Sequence, residues 1–379
     1  MEYRKLGKTG LMVSEIGLGG EHLDRKPYEQ TKETIAAAMA HGVNMIDCFM
    51  PGKEIRENIM KAFDGKRNKM VIQGALGSTD VRQQYDKSRD LPSVKKYFED
   101  MLRIFGYIDI AMLFNVDGED EYEVVFAEDY IGYATSLKQK GDIRHIGFST
   151  HNPKLAMRAI ETGIPEALFF SLNPAFDMIS PDENAVTHMF AGFDPALMHG
   201  VDPVRSELYR FCEQRDIGIT VMKALGGGKF ISPELTPFEK PLTIPQCLHY
   251  ALTRPAVASV ILGFQSAGEV EEAMGYYSTN DSERDYSEFM SSVHGDFRGQ
   301  CVYCKHCQPC PVDIDIASVM KYLDIAKLTP DDVPASLRAQ YSSLSASGAD
   351  CINCGACEKR CSFGVSIMDN MSEAASLFS

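Results

Sequence analysis

Eight short apolar runs rich in Ile, Val and Leu recur through residue 278, at 13–18, 44–47, 70–73, 108–114, 145–149, 167–172, 219–223 and 259–262. Longer stretches with a 3.6-residue apolar repeat separate them, as at 31–40, 93–105 and 153–162. Strands alternating with helices over this length predict an α/β fold, a (β/α)8 TIM barrel with its active site on the loops after the strand C-terminal ends. An open doubly wound sheet is the runner-up, but no G-x-G-x-x-G follows the first strand.

Beyond residue 278 the pattern changes. Residues 279–299 read as a linker helix, and 300–379 as a small α-helical ferredoxin-like domain. Eight of the eleven cysteines fall there, as Cys301-x2-Cys304-x2-Cys307-x2-Cys310 and Cys351-x2-Cys354-x2-Cys357-x3-Cys361. Three thiolates at three-residue intervals on one loop can each take an iron of a 4Fe-4S cube while a fourth arrives from elsewhere. The second run has the spacing of bacterial two-cluster ferredoxins, in which the last cysteine serves the other cluster. The expected ligand sets are therefore Cys301, Cys304, Cys307 and Cys361 for one cube, and Cys351, Cys354, Cys357 and Cys310 for the other.

Structural zinc stays open as an alternative, although its ligands usually come as separated pairs. Disulfides fit worse, because cysteines three apart rarely bridge usefully. The apolar positions after the two runs match: Ile314, Ile316 and Met320 follow Cys310 at the offsets at which Val365, Ile367 and Met371 follow Cys361. Each run thus leads into a short amphipathic helix, with an inserted helical pair near 316–350 broken at Thr329-Pro330. The first run departs from the ferredoxin spacing in having two residues, not three, before Cys310.

A chain of 379 residues, 44% hydrophobic, can bury one large core and a small one. The formal net charge of −15 would repel nucleic acid and anionic membrane surfaces, so neither is an expected partner. With no long apolar run and no apolar core behind Met1, the expectation is a soluble, cytoplasmic protein. The ligand thiolates imply a reducing, oxygen-poor cell.

The opening residues 3–14 (YRKLGKTGLMVS), together with 42–47 (GVNMID), 146–149 (IGFS) and 222–228 (MKALGGG), resemble in order the aldo/keto reductase family. The resemblance spans nearly all of 1–278, and the layout is similar to a branch carrying a C-terminal ferredoxin-like domain. It implies a TIM barrel that reduces carbonyls with a nicotinamide hydride, through an Asp-Tyr-Lys-His tetrad whose tyrosine protonates the developing alkoxide. Here only the aspartate is present, as Asp47. No tyrosine follows within the next several residues, Ala75 stands at the lysine position, and Phe114 at the histidine position.

Replacement groups near strand ends are His22, Cys48, Lys53, His151 and Lys223. Lys223 closes the seventh strand, where desolvation can lower an amine's pKa, and His151 brings an imidazole, the side-chain type suited to general acid–base work. Asp47, His151 and Lys223 are therefore the candidate catalytic residues, each with a structural or cofactor-contact role as the alternative. Cys48, Cys212 and Cys247 read as inert buried thiols.

The resemblance further implies a dinucleotide site. Gly226, Gly227 and Gly228 can bring backbone amides to a pyrophosphate, and Gly263, Gln265 and Ser266 open the last barrel helix where the adenosine phosphate binds. Gln265 stands where an arginine commonly reads a 2'-phosphate, Glu272 at an adenine-contacting position, Ser149 at the amide-binding pair, and Asn173 after the sixth strand. A loop of almost thirty residues, holding His188, Gly192, Pro195 and His199, reads as a lid, a pocket wall or a surface packed on the cluster domain.

Three functions follow from these expectations. The first is an iron-sulfur oxidoreductase whose two 4Fe-4S clusters pass electrons to or from a small-molecule ligand at the barrel mouth, with a flavin not excluded as converter and a redox protein as partner. The second is an NAD(P)H-dependent carbonyl reductase or dehydrogenase with a rebuilt proton donor and structural clusters. The third is a non-catalytic redox sensor or electron carrier.

Overall fold

The structure, a computed structural model, describes residues 1–81, 84–180, 198, 201–292 and 297–379. Most of the long loop noted above, with His188, Gly192, Pro195 and His199, lies outside the described residues; its start forms a short helical turn at Pro174–Asp177.

Eight parallel strands close a barrel in sequence order. They are β1 (Ile16–Gly19), β2 (Met45–Cys48), β3 (Val71–Leu76), β4 (Ile108–Leu113), β5 (Ile143–Thr150), β6 (Ala167–Ser171), β7 (Gly218–Met222) and β8 (Val257–Gly263). All eight coincide with the apolar runs. The first run divides in two, because Met12–Ser14 pairs antiparallel with Tyr3–Lys5 and only the residues from Ile16 enter the barrel.

That N-terminal hairpin plugs the end where the strands begin. Leu6 and Val13 join one buried cluster with Met45, Ala167 and Ala258, and Arg4 donates from Nη1 to the Val257 carbonyl at 3.0 Å. A Cβ on Gly218 would lie 2.6 Å from the Leu6 backbone, so that approach requires glycine. With this end sealed by apolar packing, the opposite mouth is left for chemistry.

Between the strands run helices α1 (Tyr28–Ala40), α2 (Lys53–Ala62), α3 (Leu91–Phe105), α4 (Glu128–Lys140), α5 (Pro153–Glu161), α6 (Pro203–Gln214), α7 (Ile244–Leu252) and α8 (Ala267–Met274). Their starts follow local chemistry. Asp90 accepts from the Ser93 N–H ahead of α3 and Asn152 from the Lys154 N–H ahead of α5, each satisfying a donor the helix itself cannot. Asp109, buried in β4, is held by Arg67, Arg144 and the Ile72 N–H, which satisfies its charge within the wall.

The chain divides into two compact units. One comprises Met1–Leu172, Ile217–Ala224 and Val257–Tyr277, and contains every barrel strand. The other comprises Asn173–Asp216, Leu225–Ala256 and Ser278–Ser379, and contains all eight cysteines of the two runs. In the second unit helices α9 (Ile316–Ala326), α10 (Ala335–Ser342) and α11 (Ile367–Leu377) include the expected pair, with its break near Thr329. No helix among the described residues is long and apolar enough to cross a membrane.

Candidate functional site

At the mouth, Asp47 near the end of β2 faces Gln73 in register. Gln73 donates from Nε2 to Asp47 Oδ1 at 2.9 Å and accepts from the Thr220 hydroxyl of β7 at 2.8 Å. All three side chains are buried. Burial pushes the Asp47 carboxyl up to about 7; the Gln73 hydrogen bond opposes this and the Glu21 charge adds to it. Ala75, two residues on along the same face of β3, brings no cation to this carboxyl, and a neutral amide takes its place.

The neighbouring wall is aromatic. Phe49 stacks on Phe114 with centroids 5.6 Å apart and meets the edge of Tyr85 at 4.9 Å. Arg89 braces the turn behind it, donating to the Phe114 and Asn115 carbonyls at 2.9 Å each. Other tyrosines of the barrel unit are engaged in ring contacts: Tyr28 lies under Lys61, Tyr133 under Lys95, and Tyr122 stacks on Phe126. Tyr130 reaches the end of β3, but its hydroxyl donates to the Leu76 carbonyl at 3.2 Å and burial pushes its phenol up to about 12.

His151, just past β5, is the best-organised titratable group of the mouth. Asp117 accepts from its backbone N–H at 2.6 Å through Oδ1 and pairs with its Nδ1 at 2.9 Å through Oδ2. The Thr150 hydroxyl donates to Asp117 at 3.0 Å and accepts from the Asn152 N–H, so the cap of α5 and the carboxylate fix one loop. Burial alone would raise the Asp117 carboxyl, but these contacts and the His151 ring hold it at about 2. The other ring nitrogen, Nε2, is buried and has no hydrogen-bond partner among the described residues; so is Asn115 Oδ1, on the loop after β4. Buried polar atoms with no partner among the described residues, near the ends of barrel strands, make this the candidate ligand site.

Lys223 follows β7 with a left-handed φ of 65°. Burial lowers its amine pKa, while the charges of Glu21 and Asp117 oppose the shift. The fold therefore brings Lys223 within electrostatic range of the carboxylate that holds His151.

The candidate dinucleotide residues fall into different settings. Ser149 is buried in β5. The backbone of Gly263, at the end of β8, lies against His22, whose Cδ2 would be 1.9 Å from an added Cβ. Gln265 accepts from Lys26 Nζ at 3.4 Å, so a lysine lies where the arginine is missing. Ser266 accepts from the Glu269 N–H and caps α8, on which Glu272 is exposed. In the second unit, Asn173 accepts from the Phe176 N–H at 2.8 Å. Gly226, Gly227 and Gly228 all have left-handed φ, and nothing lies within 4 Å of a Cβ added at Gly227 or Gly228.

The two cysteine runs share several backbone positions and then part, the second forming a short helix at Ala356–Arg360 where the first has a cis Gln308-Pro309 peptide. Left-handed φ recurs at Tyr303 and Asn353, at Lys305 and Gly355, and at Asp313 and Gly364, equivalent offsets in the two runs. Helices α9 and α11 each begin six residues after Cys310 and Cys361 and pack on one another. Cys310, Cys351, Cys354 and Cys357 line a single pocket, shared with Ile314 and Met368. Cys301 lies within electrostatic range of Cys304 and Cys307, and both of these within range of Cys361. Burial pushes the Cys304 thiol up to about 11 and Cys307 up to about 12. All eleven cysteines are free thiols. Among the described residues no three His, Cys, Asp or Glu groups converge as the ligands of one metal ion.

Residues 15–241 match the model of the Aldo/keto reductase family. The chain belongs to the aldo/keto reductase family. It is 22% identical to L-galactose dehydrogenase of Arabidopsis thaliana over 324 residues, covering 77% of this chain and 93% of that protein. Among solved structures, it is similar to aldo-keto reductase AKR11C1 from Bacillus halodurans in its holo form, with a TM-score of 0.59, 18% identity, and coverage of 77% of this chain and 96% of that one. A putative aldo-keto reductase from Pseudomonas aeruginosa matches with a TM-score of 0.55 and 19% identity, over 73% of this chain and 94% of that one.

Family membership makes the chain an oxidoreductase on a TIM barrel. In this aldo/keto reductase Asp47 is a buried, amide-bound carboxyl, and Phe114 belongs to an aromatic wall. Sequence reading found His151 and Lys223 but missed Asp117, Gln73 and Asn115. The Asp117 signal was slight, a carboxylate two residues after Asn115 on the loop following β4, where any acidic residue reads equally well as solvated.

Proposed function

We propose that this protein is a nicotinamide-dependent oxidoreductase of a small carbonyl or alcohol, with the Asp117–His151 pair in place of the missing tyrosine. The observation that carries the reading is the buried His151 Nε2, unpartnered among the described residues, on a ring whose Nδ1 is held by a carboxylate. Such a ring is oriented to give a proton to an alkoxide oxygen or to take one from an alcohol, while Asp117 stabilises the charged ring. Lys223 adds a cation beside the developing negative charge, and Asp47 with Gln73 shapes the floor.

A bound nicotinamide supplies or accepts the hydride. Ser149, Gly263, Gln265, Ser266 and Glu272 form its proposed contact set in the barrel unit; for Asn173, Gly226, Gly227 and Gly228 a nucleotide role is proposed on the sequence grounds above alone. The open space over Gly227 and Gly228 suits close approach of a phosphate to the backbone. Lys26 beside Gln265 offers a charge for a phosphorylated ribose. The test is fluorescence titration with NADH and NADPH, followed by stopped-flow oxidation of the reduced form by carbonyl compounds. Saturable binding with hydride loss is expected; a protein that binds neither form overturns the reading.

A second reading concerns the cysteine-rich segment, for which we propose two 4Fe-4S clusters on the ligand sets named from the spacing. Four thiols of one proposed set line one pocket; in the other set Cys301 lies in electrostatic range of Cys304 and Cys307, and these two in range of Cys361. The repeated left-handed positions suit the reading as well, since such turns aim successive N–H groups inward toward sulfur. A cube gives each thiolate its own iron, so convergence on one ion is not required. When bound, the clusters supply single-electron exchange or a brace for the fold. Iron and sulfide analysis of anaerobically purified protein separates this from zinc.

A further inference from the structure

Val302 lies between Cys301 and Cys304, and its carbonyl is one of the most heavily solicited acceptors of the second unit. Arg254 donates to it from Nη2 at 2.8 Å and the Tyr286 hydroxyl donates to it at 2.6 Å. The same Nη2 also donates to the Tyr286 oxygen at 2.7 Å, and Thr253 lies 3.1 Å from that oxygen. The guanidinium sits over the Tyr250 ring at 4.4 Å and over the Tyr303 ring at 5.2 Å. Arg254 is 5% exposed and Tyr286 1%.

Asp177 lies within electrostatic range of this cation but forms no ion pair with it. Among the described residues no carboxylate forms an ion pair with Arg254. Asp177, the buried carboxylate of this region, is taken up by Arg205 at 2.9 Å, Tyr209 at 2.5 Å and Tyr250 at 2.9 Å. A buried cation without a directly paired anion is costly, so negative charge in the adjacent cysteine loop would favour this arrangement. Four thiolates around a cube carry net negative charge, and each added electron increases it.

We propose that Arg254, oriented by Tyr286, is the positioning residue that sets the electron affinity of the Cys301, Cys304, Cys307 and Cys361 site. The proposal rests on the cluster reading above. A fixed buried cation stabilises the more negative, reduced form of its neighbour more than the oxidised form, and so raises its reduction potential. The second set, Cys310, Cys351, Cys354 and Cys357, has no part in these contacts, so Arg254 distinguishes the two sites. On one-electron reduction by an external donor, the more electron-affine site fills first.

The experiment is an anaerobic redox titration with dithionite, read by electron paramagnetic resonance, on wild-type protein and on Arg254→Gln and Arg254→Lys. Iron content is measured on the same samples. In Arg254→Gln one of two midpoint potentials falls while the other stays, and Arg254→Lys recovers part of the shift. Fully loaded Arg254→Gln with both midpoints unchanged overturns the proposal and leaves the cluster reading intact. Wild-type protein without iron overturns both. Should Arg254→Gln fail to load, Tyr286→Phe decides: a smaller fall in the same midpoint is expected, and an unchanged one overturns the proposal.

Discussion

Asp117 grips His151 at two points, its backbone N–H at 2.6 Å and its ring Nδ1 at 2.9 Å, and so fixes both the loop after β5 and the face that the ring presents. The two residues come from loops after adjacent strands, β4 and β5, whose register is continuous from Ile108 against Ile143 to Leu113 against Phe148. A histidine held this way keeps its second nitrogen for a ligand.

Loss of that nitrogen therefore falls on turnover. His151→Ala is expected to lower kcat about 10²–10⁴-fold with little change in nucleotide affinity. Steady-state kinetics across pH are the measurement, because a merely structural role would leave the shape of the profile in place. A variant within twofold of wild type would remove His151 from the mechanism.

Asp117→Asn keeps the shape of the side chain and removes its charge. Because the folded carboxyl is held at about 2, below its ordinary value of 3.8, its stabilisation is complete above about pH 4 and lost as pH falls toward 2. Urea unfolding at pH 6 should show the variant less stable by roughly 1–2 kcal/mol, with the gap closing near pH 2. An equal gap at both pH values would contradict the pairing.

Asp47 has the opposite sign. Its folded value near 7 means that the native protein keeps a proton the unfolded chain releases, so stability falls as pH rises from about 4 to 7. Asp47→Asn removes this dependence and should gain on wild type by about 2–4 kcal/mol between pH 5 and pH 8. Parallel stability curves would show that the carboxyl titrates normally.

The approach of His22 to Gly263 is testable by a double-mutant cycle. Gly263→Ala places a methyl 1.9 Å from His22 Cδ2 and should cost about 1–3 kcal/mol, relieved when His22→Ala is added. Additive effects would mean that the two residues do not share the space.

The two proposed cysteine sets predict a simple stoichiometry. Cys301→Ser and Cys310→Ser should each lower bound iron by about half relative to wild type, and the double variant should lose nearly all. Loss of all iron in either single variant would mean that the two sites are not independent.

The sequence by itself determined the order of the eight strands and the spacing of the cysteines. These are local properties: alternation and apolar runs encode which face of an element is buried, and three-residue cysteine spacing encodes a loop, whatever the rest of the chain does. Even so, Val13 and Ile16 belong to different strands, because Glu15 turns the chain between the hairpin and the barrel. Only the tertiary structure decided that Gln73 satisfies Asp47, that Asp117 takes His151 across 34 residues, and that Arg254 reaches the Val302 carbonyl across 48. Those pairings follow from strand register and loop curvature in three dimensions. A lone polar residue in a sequence carries no record of its partner.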